Sequence, residues 1–91
     1  MIRCGILGMG KIGKLRAREI QRNSKSELIA VYDMDPEAPG EYKGFSCSSV
    51  EELLDQDLDA VFVCTFNHVN APYSIQALKS GKHVFCEKPP A

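Results

Sequence analysis

Three glycines in six residues, in the run Gly8-Met9-Gly10-Lys11-Ile12-Gly13, carry the clearest chemical meaning in this chain, together with one carboxylate, Asp33, about twenty residues further on. A G-x-G-x-x-G run that leaves a strand and opens a helix suits a turn whose backbone passes close to a diphosphate. Gly8 allows the tight turn, Gly10 lets the main chain approach a pyrophosphate, and Gly13 lets helix and strand pack closely. Met9, Lys11 and Ile12 complete the candidate cofactor-binding turn. The helix start adds N–H groups and a partial positive charge for an anion. Asp33 can accept hydrogen bonds from both hydroxyls of an adenosine ribose, and it would repel a 2′-phosphate by about 1–4 kcal/mol at close range. Met34 follows it, where a site preferring the 2′-phosphate would often carry Arg. The expected ligand is a dinucleotide, NAD ahead of NADP. Taken alone, the glycine run also fits a turn in another α/β fold, and Asp33 also fits the start of a turn before Met34-Asp35-Pro36. The G-x-x-x-x-G-K-[ST] spacing of a P-loop is absent, which argues against an NTPase.

The elements that must position these residues can be read from hydrophobic pattern. Ile2–Leu7 is an apolar run and a first strand. Residues 11–22 place Ile12, Leu15 and Ile20 on one side and Lys14, Arg18 and Arg22 on the others, a helix pattern. Leu28–Tyr32 is a second strand, closed by Asp33. A loop from Met34 to Gly44 carries Pro36, Pro39 and Gly40, and Phe45–Cys47 is a short third strand. Ser48 with Glu51, or Ser49 with Glu52, makes a capping box ahead of Val50, Leu53 and Leu54 at helical spacing. Ala60–Cys64 is apolar throughout, as suits a parallel strand covered on both faces. A helix then has Pro72 in its first turn, Ala71, Ile75 and Leu78 one turn apart, and Gly81 as its stop; His83–Cys86 is the last strand. Crossovers of this length pair strands in parallel, and right-handed crossovers favour the order 3-2-1-4-5. The fold class is α/β, a doubly wound parallel sheet (Rossmann) of about five strands, with residues 1–91 as one dinucleotide-binding domain.

Composition narrows the partners. The chain has 91 residues, 44% hydrophobic and 25% charged, with a formal net charge of -1. That balance lacks the basic surplus of a phosphate-backbone binder, so nucleic acid is not an expected partner. No apolar run reaches the ~20 residues of a membrane span, and the amino terminus has no signal-peptide layout, so a cytoplasmic location is expected. Cys4, Cys47, Cys64 and Cys86 include no C-x-x-C pair, which excludes zinc-ribbon spacing; reduced, packed thiols are expected and no metal site.

The carboxyl-terminal third adds Thr65-Phe66-Asn67-His68, then Gly81-Lys82-His83-Val84, then Glu87-Lys88-Pro89. With the glycine run and Asp33, these motifs resemble the glucose–fructose oxidoreductase / inositol 2-dehydrogenase family (Gfo/Idh/MocA) over nearly the whole chain. The G-K-H-V-x-x-E-K-P combination is more specific than the glycines alone. The resemblance implies an NAD(P)-dependent dehydrogenase of two domains and a homo-oligomeric parent, moving a hydride between nicotinamide and a sugar, inositol or related polyol. It implies that Lys88 lies beside the nicotinamide ribose and the reacting oxygen as the catalytic residue, that Glu87 lines the same pocket, and that Thr65 and Asn67 line the loop after the fourth strand. Phe66 stands where the family usually has proline, and Asn70 where it has histidine; His68 is expected to be a surface or loop residue and His83 a structural one. The substrate domain, with its acid/base residues, is not within these 91 residues. A stand-alone NAD(P)-binding module without catalysis is the alternative, and biliverdin reductase-like and amino-acid dehydrogenases share the fingerprint, though the E-K-P motif argues against most of them.

Overall fold

Strand β1 (Ile2–Leu7) is an inner strand of a parallel sheet, with hydrogen-bonded partners on both edges. In the computed structural model, which describes residues 1–65 and 67–86 and only the backbone of 67–71, β2 (Ser26–Tyr32), β3 (Ala60–Val63) and β4 (His83–Cys86) complete the order β2-β1-β3-β4. On one edge the pairing runs from Ile2↔Ser26 to Leu7↔Tyr32, with a register shift between Cys4 and Gly5. On the other it runs from Cys4↔Ala60 to Leu7↔Val63. The strand expected at Phe45–Cys47 contracts to one parallel bridge, Val31↔Ser46, extended by Cys47 N donating to Val31 O at 2.8 Å. The expected order 3-2-1-4-5 is therefore kept, with its outermost member reduced to a bridge. The reason lies just upstream. Residues 40–44, read as loop, and Phe45, read as strand, wind into a 3₁₀ helix, Gly40–Phe45, that buries Tyr42, so few residues are left to lie beside β2.

The helices follow the expected order, but not all of the expected faces. Helix α1 (Lys11–Arg22) buries Gly13, Ala17 and Ile20, while Ile12 and Leu15 are exposed. The small residues face inward because the helix meets the sheet closely at Gly13, and a stripe at i, i+4 and i+7 lies on one helix face. Helix α2 (Val50–Leu54) starts at Ser49, whose Oγ accepts from Glu52 N at 3.0 Å. The Glu52 carboxylate reaches back, not to Ser49, but to Ser48, accepting from Ser48 Oγ at 2.7 Å and Ser48 N at 3.4 Å. These bonds, the hydroxyl one foremost, hold Glu52 below the usual carboxylate range. Helix α3 (Asn67–Lys79) starts earlier than expected, so Pro72 lies in its second turn, where it has no N–H for the carbonyl of residue 68. Its inward residue is Ala77; Ile75 and Leu78, expected on the core face, are exposed at 51% and 60%.

Two apolar layers hold the sheet. One joins Cys4, Ile6, Met9, Ala17 and Ile20 with Tyr42; the other joins Leu7, Leu53, Leu58, Val61, Val63 and Ala77. Successive residues of β1 and β3 thus serve opposite faces, as the pleat requires. None of the four cysteines forms a disulfide. Cys4 is buried, and that burial, with Asp59 nearby, raises its thiol above the ordinary range. Cys86, expected in an apolar packing position, is exposed because β4 is the outer strand. Phe85 of β4 stacks on Phe62 of β3, with ring centroids 5.0 Å apart, and remains 54% exposed.

The Ser49 cap sets the first turn of a helix too short to hold itself. Ser49→Ala is expected to cost about 1 kcal/mol and to lower the melting temperature by about 4–8 °C in thermal unfolding followed by circular dichroism.

Candidate functional site

The carboxyl ends of β1, β2 and β3 bring together the residues that are far apart in sequence. Gly8 N, just past β1, donates to Tyr32 O of β2 at 2.7 Å, and Cys64 N, just past β3, donates to Leu7 O at 2.7 Å. The chain can turn here only because Gly8 takes φ 100°, in the left-handed region that favours glycine. A Cβ on Gly8 would stand 2.7 Å from Cys64 O and 2.8 Å from Thr65 Cγ2, so the loop after β3 closes directly over the turn. At Gly13 the demand is stricter: a Cβ there would lie 2.0 Å from Gly8 O. Gly10 differs from both, since a Cβ on it meets nothing within 4 Å. One glycine seats the turn, another seats the helix, and between them Gly10 borders open space.

Helix α1 begins at that space. Gly10 is its N-cap, no side chain caps the N-terminus, and its first turn holds no acidic residue. Lys11 and Ile12 are exposed beside it, whereas the Met9 side chain is fully buried in the first core layer. The amino-terminal amides, the helix dipole and the Lys11 ammonium all favour an anion here. The space beside Gly10 and the backbone donors fit the pyrophosphate of a dinucleotide.

Asp33 follows Tyr32 at the end of β2, next to this turn. Its Oδ2 accepts from Met9 N at 2.7 Å and its Oδ1 accepts from Asp35 N at 2.9 Å. Met34, 68% exposed, stands beside it. Of the expected site residues, the structure thus brings Gly8, Met9, Gly10, Gly13, Asp33 and Thr65 together. Asn67 opens α3, placed by its backbone alone. Phe66, Glu87, Lys88 and Pro89 lie outside the described residues, as do the side chains of His68 and Asn70. His83 is exposed at the start of β4, at the opposite end of the strands.

Sequence reasoning did not single out Tyr73. It packs half-buried on the second core layer together with Tyr32. Burial raises its phenol above the ordinary range, and Tyr32, Asp33 and Glu51 add to the rise. An aromatic in mid-helix reads as core, and only the packing of α3 against the sheet places it near Asp33. A groove of about 280 Å³ between Cys4, Ile20, Ala60, Phe62 and Phe85 lies toward the amino ends of the strands and is no part of this site. Among the described residues no group of three or more His, Cys, Asp or Glu could hold a metal, and no helix is long and apolar enough to cross a membrane.

Comparison with known proteins places this geometry. Residues 2–91 match the Gfo/Idh/MocA description "Oxidoreductase family, NAD-binding Rossmann fold". Inositol 2-dehydrogenase of Rhizobium meliloti is 35% identical over 97% of this chain and 28% of its own length. The crystal structure of a putative myo-inositol dehydrogenase from Sinorhizobium meliloti superimposes with a TM-score of 0.87 at 35% identity, over 98% of this chain and 28% of that one. Biliverdin reductase from Synechocystis, solved with biliverdin and NADP+, gives 0.87 at 27% identity, over 97% of this chain and 29% of that one. The chain spans only 25% to 28% of the length of the first curated relatives it matches.

The three glycines are not equivalent. Gly13→Ala is expected to cost about 3 kcal/mol or more, because backbone must move to admit the methyl group. Gly10→Ala is expected to cost no more than about 1 kcal/mol, from a poorer N-cap. Thermal unfolding of the two variants beside the parent chain separates these outcomes.

Proposed function

Because the chain belongs to the Gfo/Idh/MocA oxidoreductase family, as its NAD-binding Rossmann domain, we propose that residues 1–91 form the cofactor half of a dehydrogenase that acts on a sugar, inositol or related polyol and prefers NAD to NADP. The observation that carries the reading is the junction of the glycine turn with Asp33, where Met9 N and Asp33 Oδ2 are 2.7 Å apart. The pyrophosphate is held at Gly8–Gly10 and the α1 N-terminus, with Lys11 adding charge from the rim. The adenosine ribose is held by Asp33. Its carboxylate rewards two hydroxyls and opposes a 2′-phosphate, by about 1–4 kcal/mol at close range. Exposed Met34 offers the adenine a soft apolar surface. Thr65, which already crowds the glycine turn, and Asn67 line the nicotinamide side.

When bound, the dinucleotide supplies a hydride acceptor at nicotinamide C4. The protein's part is to orient it and to manage charge on the substrate oxygen. In this reading Lys88, after β4, has its ammonium beside that oxygen, where it stabilises developing alkoxide charge or passes on the proton. Glu87 lines the same pocket. The substrate is held chiefly by residues beyond these 91, as the inositol and sugar dehydrogenases among the relatives, several times longer than this chain, suggest.

Calorimetric titration of NADH and, separately, NADPH into the folded 91-residue chain tests the cofactor reading. Saturable binding with NADH at least tenfold tighter is the expected result; equal affinities would remove the role given to Asp33. Lys88→Ala, made in the full-length oxidoreductase that carries this domain, is expected to lower kcat by two orders of magnitude or more, about 2.7 kcal/mol in the barrier, with NAD affinity little changed. Unaltered turnover would remove Lys88 from the chemistry.

A further inference from the structure

The pairing of β1 with β2 does not stop where the strands stop. Gly8 N still finds a backbone acceptor, Tyr32 O, but at the next residue the acceptor is a side chain: Met9 N donates to Asp33 Oδ2 at 2.7 Å, a contact between residues 24 apart in the chain. The other carboxylate oxygen, Oδ1, takes the N–H of Asp35 and so holds the carboxylate in place from its own loop. Met9 stands between Gly8, at φ 100°, and Gly10, the N-cap of α1, and its side chain is sealed in the core.

We infer that Asp33 is a positioning residue for the glycine turn, so that one carboxylate both shapes the pyrophosphate cradle and receives the ribose. The inference rests on the dinucleotide reading given above. The two roles are chemically compatible, because an ionised carboxylate has about four acceptor directions. Two are taken by Met9 N–H and Asp35 N–H, and the others remain for the two ribose hydroxyls. The bond to Met9 is charge-assisted, the stronger kind of hydrogen bond. Ribose recognition and turn geometry are thereby coupled. Replacing Asp33 with a small neutral residue, the obvious way to admit a 2′-phosphate, also releases the Met9 amide and loosens the cradle.

The test separates the roles by using a nucleotide that has the diphosphate but no ribose hydroxyls. Titrations of NADH and of 2′,3′-dideoxyadenosine 5′-diphosphate are made into the parent chain, Asp33→Asn and Asp33→Ala. A positioning role predicts that Asp33→Ala weakens the dideoxy nucleotide by about tenfold, the scale of one lost hydrogen bond to a charged group. Asp33→Asn, which keeps one acceptor oxygen, falls between. Unchanged affinity for the dideoxy nucleotide, with NADH weakened, overturns the inference and leaves Asp33 a ribose ligand alone. Amide hydrogen exchange on the ligand-free chains gives a second readout that needs no nucleotide. Met9 and Asp35 should exchange at least tenfold faster in Asp33→Ala, with Val31 and Val61 in the strands unaltered. Acceleration no greater at Met9 than at Val31 and Val61, or none, overturns the inference. Failure of the parent chain to bind either nucleotide overturns the dinucleotide reading, while the exchange result still decides whether Asp33 holds the turn.

Discussion

The approach of α1 to the end of β1 is the constraint on which the rest of this molecule is arranged. At Gly13 the helix comes so near the Gly8 carbonyl that a single methyl group would overlap it. Close packing leaves no slack for such an atom, and backbone on both sides means that no side chain can swing away. From this contact come the inward stripe of Gly13, Ala17 and Ile20, the outward placing of Ile12 and Leu15, and the burial of Met9 under the turn. The helix N-terminus is held at the carboxyl end of β1 because nothing bulkier than hydrogen separates the two elements.

A second set of constraints joins the loops to one another. Gly8 bonds to Tyr32, Cys64 bonds to Leu7, and Thr65 lies against the space where a Gly8 side chain would be. The register of three strands is thus carried past their ends into three loops. The backbone around Gly10 is already oriented by that network, so an anion bound there would require little ordering, which is the physical advantage of preorganisation. Asp33 sets a carboxylate beside the turn, and that carboxylate is oriented by two backbone amides.

Much of this was legible in the residues. Gly8 and Gly13 announce themselves because a left-handed turn and a backbone-to-backbone contact each admit very few residue types, and Asp33 does so as the carboxylate that closes β2 beside that turn. The strand order was legible from crossover length and handedness, even though its outer member proved to be a single bridge at Ser46. Three features were not. The inward face of α1 runs through small residues, whereas a hydrophobicity pattern points to Ile12 and Leu15. The start of α3 precedes Pro72 by a full turn, whereas a proline in sequence reads as a first-turn residue. The bond from Asp33 to Met9 joins residues 24 apart and depends on strand register, which no local pattern encodes. Membership of the family, by contrast, rested on motifs spread over the chain and is matched across residues 2–91.

The central place of β1 has a consequence for how the domain comes into being. Its first partner, β2, lies across one helix, so that edge closes through contacts from Cys4 to Leu28. Its other partner, β3, arrives only after the long stretch that runs from Gly5 to Val61. Sheets built from such distant pairings fold slowly compared with bundles of local contacts, because loop closure must precede its reward. β1 is therefore paired on one side only from the emergence of β2 until that of β3. It offers an unpaired, apolar edge to its surroundings until β3 emerges, which makes the passage from residue 32 to residue 63 the interval in which this domain most depends on its own speed.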